Sequence, residues 1–243
     1  MKYVDVHAHL DNEVFNDLDS LIKKLKGNNF QIINNGINYV TNNKSLQLSN
    51  KYEIIKAAFG LHPLYVNEES KKIINFILEN KDNCLGIGEI GLDYLKGVDY
   101  EKQKDIFNKF LQIAITLEKP VIVHSRRAEH DVINLLSSSK IKKVVLHCFE
   151  GNKKLITQAL GLGYYFSIPA NITRSIHFQN LVKQVDLSNL LTETDSPYLA
   201  VNPGTINTPL SVIDSVKKIA ELKEVGIKEI QKNIIANYNL LFK

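Results

Sequence analysis

The sequence predicts an α/β fold: a single (β/α)8 TIM barrel running as one domain from residue 1 to residue 243. Three observations carry that prediction. Short apolar, β-branched runs alternate with longer amphipathic stretches along the chain, the order that builds parallel βαβ units. Eight such repeats share 243 residues, about 30 residues each, which suits a compact barrel. Finally, the apolar runs end in polar, chemically capable residues, as expected where barrel strands open onto an active face.

The expected strands are YVDVHAH (3–9), FQIINNGI (30–37), IIKAAFGLH (54–62), CLGIGEIGLD (84–93), PVIVHSR (120–126), KVVLHCF (143–149), YYFSIPA (164–170) and LLTETDSPY (190–198). Between them lie helical patterns such as Leu18–Lys26, Lys71–Glu79, Tyr100–Glu118 and Glu129–Ser137. Two further helices, Leu210–Lys223 and Lys228–Leu240, are expected to close the chain. The segment Val201–Pro209 contains Pro-Gly and reads as a loop. No linker, low-complexity tract or change of composition divides the repeats.

Composition excludes several classes. Hydrophobic residues make up 44% and charged residues 23%, ordinary for a soluble globular chain. No apolar run approaches the roughly 20 residues that cross a bilayer, and MKYVDVH does not open like a signal peptide. Cys84 and Cys148 are the only cysteines, too few for a disulfide framework and suited to a reducing compartment. A cytoplasmic location is therefore expected. The net charge of +4 is carried mostly by lysine, with arginine only at 126, 127 and 174. That balance tolerates a polyanionic partner without forming the basic stripe of a dedicated nucleic-acid binder.

The chemistry concentrates at the strand ends. His9, Gly36, His62, Glu89, His124, His147, Ser167 and Asp195 mark the eight ends at intervals of 20 to 35 residues. Five of seven histidines fall at such ends; only His130 and His177 lie elsewhere. Within VDVHAHLD, strand periodicity places Asp5, His7 and His9 in one row. Neutral imidazole and carboxylate are ligands for zinc, manganese and iron. His7, His9, Glu89, His124, His147 and Asp195 exceed what one tetrahedral ion needs and suit two ions sharing a bridge, with Glu89 on the middle strand as that bridge. Taken singly, each has a bland explanation: HxH as packing, Glu89 as a strand end beside Gly88, Asp195 as a helix cap. Six such residues at five strand ends make convergence the better explanation.

The motifs DVHAHLD, GLHP, GEIGLDY, HSR, HCFEG and ETDSPYL, in this order, resemble those of the TatD family of metal-dependent deoxyribonucleases, which are amidohydrolase-like barrels. The resemblance extends from Asp5 to about Phe242. It implies that His7, His9 and Asp195 hold one divalent ion, that His124 and His147 hold a second, and that Glu89 reaches both. It implies Zn, Mg or Mn as cofactors and DNA, single-stranded or with frayed ends, as substrate. The implied reaction is phosphodiester hydrolysis by a two-metal-activated hydroxide, with Asp195 accepting its proton. His62 and Arg126, at adjacent rim positions, are expected to bind phosphate; a surface salt bridge is the alternative for Arg126. Arg127 is expected to be solvated. Asp93 and Tyr94 either shape the pocket or orient a ligand histidine. Glu193 is either a partner of the ligands or a plain strand residue. Cys148 is expected to be a buried free thiol pointing away from the interior.

Two departures stand out. In the family, a basic Arg-Gly-Lys-like stretch usually precedes an Asn-x-Pro after the last strand; here VNPGTINTP keeps Asn207 and Pro209 without the basic residues. Glu150-Gly151 stands where Ser-Gly is common, and Arg174 is the nearby cation that can compensate. Related barrels hydrolyse amides, esters and lactones, or deacylate D-aminoacyl-tRNA, and many use a carboxylated lysine on the fourth strand. Gly88-Glu89-Ile90 offers none, which favours phosphodiesters. A non-enzymatic nucleic-acid-binding barrel would leave six polar ligands unused in a cavity, at a cost.

Overall fold

The computed structural model describes residues 1–66 and 70–243. Along the chain run β1 (Tyr3–Ala8), α1 (Leu18–Gly27), β2 (Phe30–Asn35), α2 (Tyr39–Lys51), β3 (Ile55–Phe59), α3 (Ser70–Glu79), β4 (Cys84–Gly91), α4 (Tyr100–Thr116) and β5 (Val121–His124). Then follow α5 (Glu129–Ser139), β6 (Val144–His147), α6 (Lys153–Gly161), β7 (Tyr165–Ile168), α7 (Ile176–Gln184), β8 (Leu190–Thr192), α8 (Val212–Lys223) and α9 (Ile227–Phe242). The strands form one eight-stranded sheet in sequential order, every neighbouring pair parallel. It is the expected (β/α)8 barrel. No helix among the described residues is long and apolar enough to cross a membrane.

The seam between β1 and β8 is closed beside the polar rim. His9 N–H donates to the Ser196 carbonyl and Asp195 N–H to the His7 carbonyl, both at 2.8 Å. Thr192 Oγ1 adds a bond to the Val4 carbonyl at 2.5 Å. These bonds bring the two ends of the sequence into one site.

Each strand is shorter than its apolar run. The sequence signal continues through residues that are buried yet have left the ladder, such as Glu193, Thr194 and Ser196, past the end of β8 at Thr192. His9, His62 and Asp195 therefore sit just past their strands, whereas His7, Glu89, His124 and His147 belong to them.

Burial on both faces explains the continuous apolar runs. Val121, Ile122, Val123, Val144, Val145 and Leu146 are all fully buried, and each such side chain contributes about 1.5–3 kcal/mol. Around the sheet, α4 shows the helical counterpart: Gln103, Ile106, Phe107, Phe110, Leu111 and Ala114 form its buried stripe. Caps start the helices where loops deliver them. Asn38 and Thr41 make a reciprocal capping box on α2, and Asn152 caps α6 by accepting from Leu155 N–H. Gly91, at φ +145°, ends β4 so close to β5 that a Cβ would stand 1.9 Å from the His124 carbonyl oxygen.

Candidate active site

The strand ends open into a cavity of about 610 Å³ lined by His9, His62, Glu89, His124, His147 and Asp195, together with Lys44, Lys96, Arg126, Tyr65 and Tyr198. Its floor is a carboxylate surrounded by imidazoles. Glu89 Oε2 lies 3.4 Å from His7 Nε2 and 3.6 Å from His9 Nε2. Its other oxygen, Oε1, lies 2.9 Å from His124 Nδ1 and 3.5 Å from His147 Nε2. Asp195 completes the first group: Oδ1 is 3.5 Å from His7 Nε2 and 3.4 Å from His9 Nε2. Asp195 adopts a left-handed backbone, φ +54°, which an aspartate tolerates. Donor atoms of His7, His9 and Asp195 thus form one cluster and those of Glu89, His124 and His147 another, each within 4.8 Å.

These separations fit a cation. Ligands at about 2.0–2.1 Å from a tetrahedral ion stand about 3.3 Å from one another, and His7 Nε2 and His9 Nε2 are 3.1 Å apart. The tautomers fit as well. His9 Nδ1 meets the Asn35 carbonyl at 2.9 Å, so that nitrogen carries the proton and Nε2 turns a lone pair inward. His147 Nδ1 is 3.1 Å from Glu193 Oε2, and His124 Nε2 is 3.0 Å from Asp93 Oδ2. Both carboxylates hold the far proton and leave the near nitrogen free to ligate. His7 Nδ1 is buried without a hydrogen-bond partner, while its ring stacks on His147 at 3.8 Å.

His62 is the exception. Its Nδ1 accepts from Leu64 N–H at 3.1 Å, so the neutral ring carries its proton on Nε2. That Nε2 faces the cavity, 3.5 Å from Glu89 Oε1. Burial pushes the His62 pKa down to about 3, overriding the pull of Glu89. It is therefore a neutral donor, unsuited to ligate through the nitrogen it presents.

Carboxylates and imidazoles shift one another's protonation in this site. Burial opposes ionisation of Glu89, but His62, His7 and His124 hold its carboxyl well below the usual range. Asp195 is likewise lowered against its burial, chiefly by His9. Burial works against imidazolium at His9 and His147, yet Asp195 raises the former to about 9 and Glu193 the latter to about 10. The buried carboxylates thus draw positive charge to the imidazoles that face them.

The remaining expectations resolve individually. Asp93 orients His124 and also ends the β4 loop, its Oδ1 accepting from Leu95 and Lys96 N–H. Glu193, fully buried, takes bonds from Cys148 N–H and Ser167 Oγ as well as facing His147. Tyr94 turns away from the cavity lining, its hydroxyl on Asp131 Oδ2 at 2.8 Å. Arg126 lines the cavity with Nη1 3.8 Å from Asp93 Oδ2, so it is both rim cation and ion-pair partner. Arg127 is exposed. Arg174 does not line the cavity; its Nη2 reaches the Ala200 carbonyl at 3.4 Å, so it does not replace the missing basic loop. Cys148 is a free thiol only partly buried, at the edge of a small side cavity beside His147, a correction to the expected buried position. Asp5 does not share the ligand row. The β1 ladder is irregular between Asp5 and Ala8, and the carboxyl of Asp5 accepts from Thr194 N–H and Oγ1 and from His7 N–H. Lys44 carries no mark at a strand end because α2 delivers it, and Tyr65 and Tyr198 reach the cavity from turns beyond β3 and β8.

Comparison with known proteins agrees with this geometry. The family described as TatD related DNase matches residues 4–243. An uncharacterised metal-dependent hydrolase of Methanocaldococcus jannaschii, MJ1582, is 35% identical over 247 residues, covering 100% of this chain and 98% of that one. The human deoxyribonuclease TATDN3 is 34% identical over 257 residues, covering 98% of this chain and 94% of its own. Among solved structures, YJJV, a TatD homologue of Escherichia coli, superposes with a TM-score of 0.92 at 27% identity, covering 99% of this chain and 98% of that one. Barrel, converging ligand set and matches along the whole length lead to one conclusion: this chain belongs to the TatD family and is a metal-dependent hydrolase.

Proposed function

We propose that the protein, acting as one unit over residues 1–243, is a deoxyribonuclease that hydrolyses DNA phosphodiester bonds. His7, His9 and Asp195 would hold one divalent ion and His124 and His147 a second, Zn, Mg or Mn, with Glu89 reaching both. The observation that carries this reading is the division of the Glu89 carboxylate, one oxygen toward His7 and His9, the other toward His124 and His147. Ions bound there would supply Lewis acidity at a phosphoryl oxygen and a water that loses its proton near neutral pH.

The chain's own groups do the rest. His62 Nε2–H donates to a phosphate oxygen, a role its fixed tautomer allows in the neutral state. The planar guanidinium of Arg126 meets the same phosphate from the rim. His7 and His9 both address Asp195 Oδ1, so Oδ2 is the oxygen that takes the proton of the attacking water. Asp93 and Glu193 keep His124 and His147 oriented throughout. Lys44 and Lys96 join Arg126 as cations on a rim that also carries Asp11 and Glu13, and a polyanionic strand would lie along its basic side.

The test is substrate competition on metal-reconstituted protein. Labelled single-stranded DNA, D-aminoacyl-tRNA and simple esters are offered with each metal, and bound ions are counted by mass spectrometry. Two ions per chain and preference for DNA are expected, with Glu89→Gln losing both. Preference for the aminoacyl-tRNA or the esters, or near-normal DNA cleavage by Glu89→Gln, would overturn the reading.

A further inference from the structure

Two tyrosines at the cavity mouth are built into matching turns. In His62-Pro63-Leu64-Tyr65, Tyr65 N–H donates to the His62 carbonyl at 2.8 Å; in Asp195-Ser196-Pro197-Tyr198, Tyr198 N–H donates to the Asp195 carbonyl at 2.8 Å. Each turn places a polar residue of the site first and a phenol fourth, with proline between. Both phenols line the one cavity. Tyr65 stands edge-on to His62, ring centroids 6.4 Å apart at 72°, and Tyr198 edge-on to His9, 6.3 Å apart at 64°.

Their burial differs in an informative way. Tyr65 is partly buried and packs against the core. Tyr198 is 56% exposed, although its loop is anchored: Asn207 N–H donates to the Pro197 carbonyl at 3.0 Å, and Asn207 Nδ2 to the Thr194 carbonyl at 2.8 Å. A large ring left in water on a fixed backbone loses little conformational freedom when something covers it. Leu64 and Leu199 continue the apolar surface beside the two rings, while Lys44, Lys96 and Arg126 supply cations around the same cavity. Flat apolar faces beside cations suit an unstacked nucleobase whose phosphates lie within reach.

We propose that Tyr198, with Tyr65 as a second wall, forms a stacking subsite for the nucleobase adjoining the phosphodiester at the His62 and Asp195 turns. The subsite rests on the nuclease reading above and refines its substrate. Bases in a duplex are covered on both faces, so the clamp selects a single-stranded or splayed-out nucleotide. Every base has a π face, so it selects without reading sequence.

The test compares oligothymidylate with the same oligomer built from 5,6-dihydrothymidine, whose saturated ring cannot stack flat. Metal-loaded wild type, Tyr198→Ala, Tyr198→Phe and Tyr65→Leu are compared by steady-state kinetics, with thermal melts to confirm folding. For Tyr198→Ala, KM on oligothymidylate is expected to rise about 5- to 150-fold with kcat little changed. Tyr198→Phe should stay near wild type, and Tyr65→Leu should show a smaller rise in KM. On the dihydro oligomer wild type should already be weak and Tyr198→Ala should change nothing further. A 2-aminopurine oligomer, whose emission falls on stacking, should be quenched by wild type and not by Tyr198→Ala. Equal losses on both oligomers, or no loss while wild type cleaves oligothymidylate, overturn the stacking subsite and leave the nuclease standing. Cleavage of neither oligomer by wild type overturns both.

Discussion

Asp93→Asn should misplace one proton and thereby weaken the metal site, with little cost to the fold. Asp93 Oδ1 accepts from Leu95 N–H at 3.0 Å and Lys96 N–H at 2.8 Å; Oδ2 faces His124 Nε2 at 3.0 Å. An asparagine amide must keep its oxygen against the two backbone donors. Reversing it would forfeit two bonds worth about 0.5–1.5 kcal/mol each and leave donors facing donors. Its NH2 is therefore forced against His124 Nε2, which becomes an acceptor. The imidazole proton moves to Nδ1, the nitrogen 2.9 Å from Glu89 Oε1 that is placed to ligate. Loss of such a support costs about 10- to 100-fold in metal affinity or activity.

The assay is chelator competition at pH 7 and pH 9, because losing the carboxylate also weakens the proton's hold on His124. A deficit caused by the wrong tautomer persists at the higher pH, where protons compete less for the ligands. Thermal unfolding separates position from stability. Asp93→Asn keeps both backbone bonds and should melt near wild type, whereas Asp93→Ala loses them. That loss, about 1–3 kcal/mol, lowers Tm by about 2–12 °C. If Asp93→Asn binds metal with wild-type affinity at both pH values, the argument from proton placement is wrong.

His62→Ala should keep the full metal content, because the nitrogen it presents carries a proton; kcat/KM on DNA should fall about 10- to 150-fold for a lost hydrogen bond to a charged phosphate. Loss of metal instead would make His62 a ligand. Metal affinity should weaken as pH falls below about 9, since incoming cations displace protons from His9, raised to about 9, and His147, raised to about 10. The slope is about tenfold per pH unit for each proton displaced, and chelator competition between pH 6 and 9 that gave a flat profile would contradict it. Gly91→Ala should be destabilised by at least about 3 kcal/mol, lowering Tm by about 6–12 °C, because its methyl meets the His124 carbonyl oxygen. A melt unchanged from wild type would show that β4 can withdraw from β5 there.

The sequence by itself determined the barrel and which histidines and carboxylates gather at its rim, because both leave local marks. A parallel strand buried on both faces reads as an apolar run, and the polar residue ending it must face the open rim, so His124 and His147 were legible from VIVH and VVLH. The tertiary structure decided roles that depend on distances between strands. That Glu89 divides its oxygens between two clusters, that His62 differs from its neighbours by tautomer, and that Asp93 and Glu193 each stand behind one imidazole all follow from side-chain packing across the barrel. Asp5 shows the limit: strand periodicity placed it with His7 and His9, but an irregular ladder and two bonds from Thr194 turn its carboxyl to holding the seam. The places of Tyr198 and Lys44 in the cavity were not legible for a related reason, since a loop's path and a helix's rotation are set by what they pack against rather than by the residues they contain.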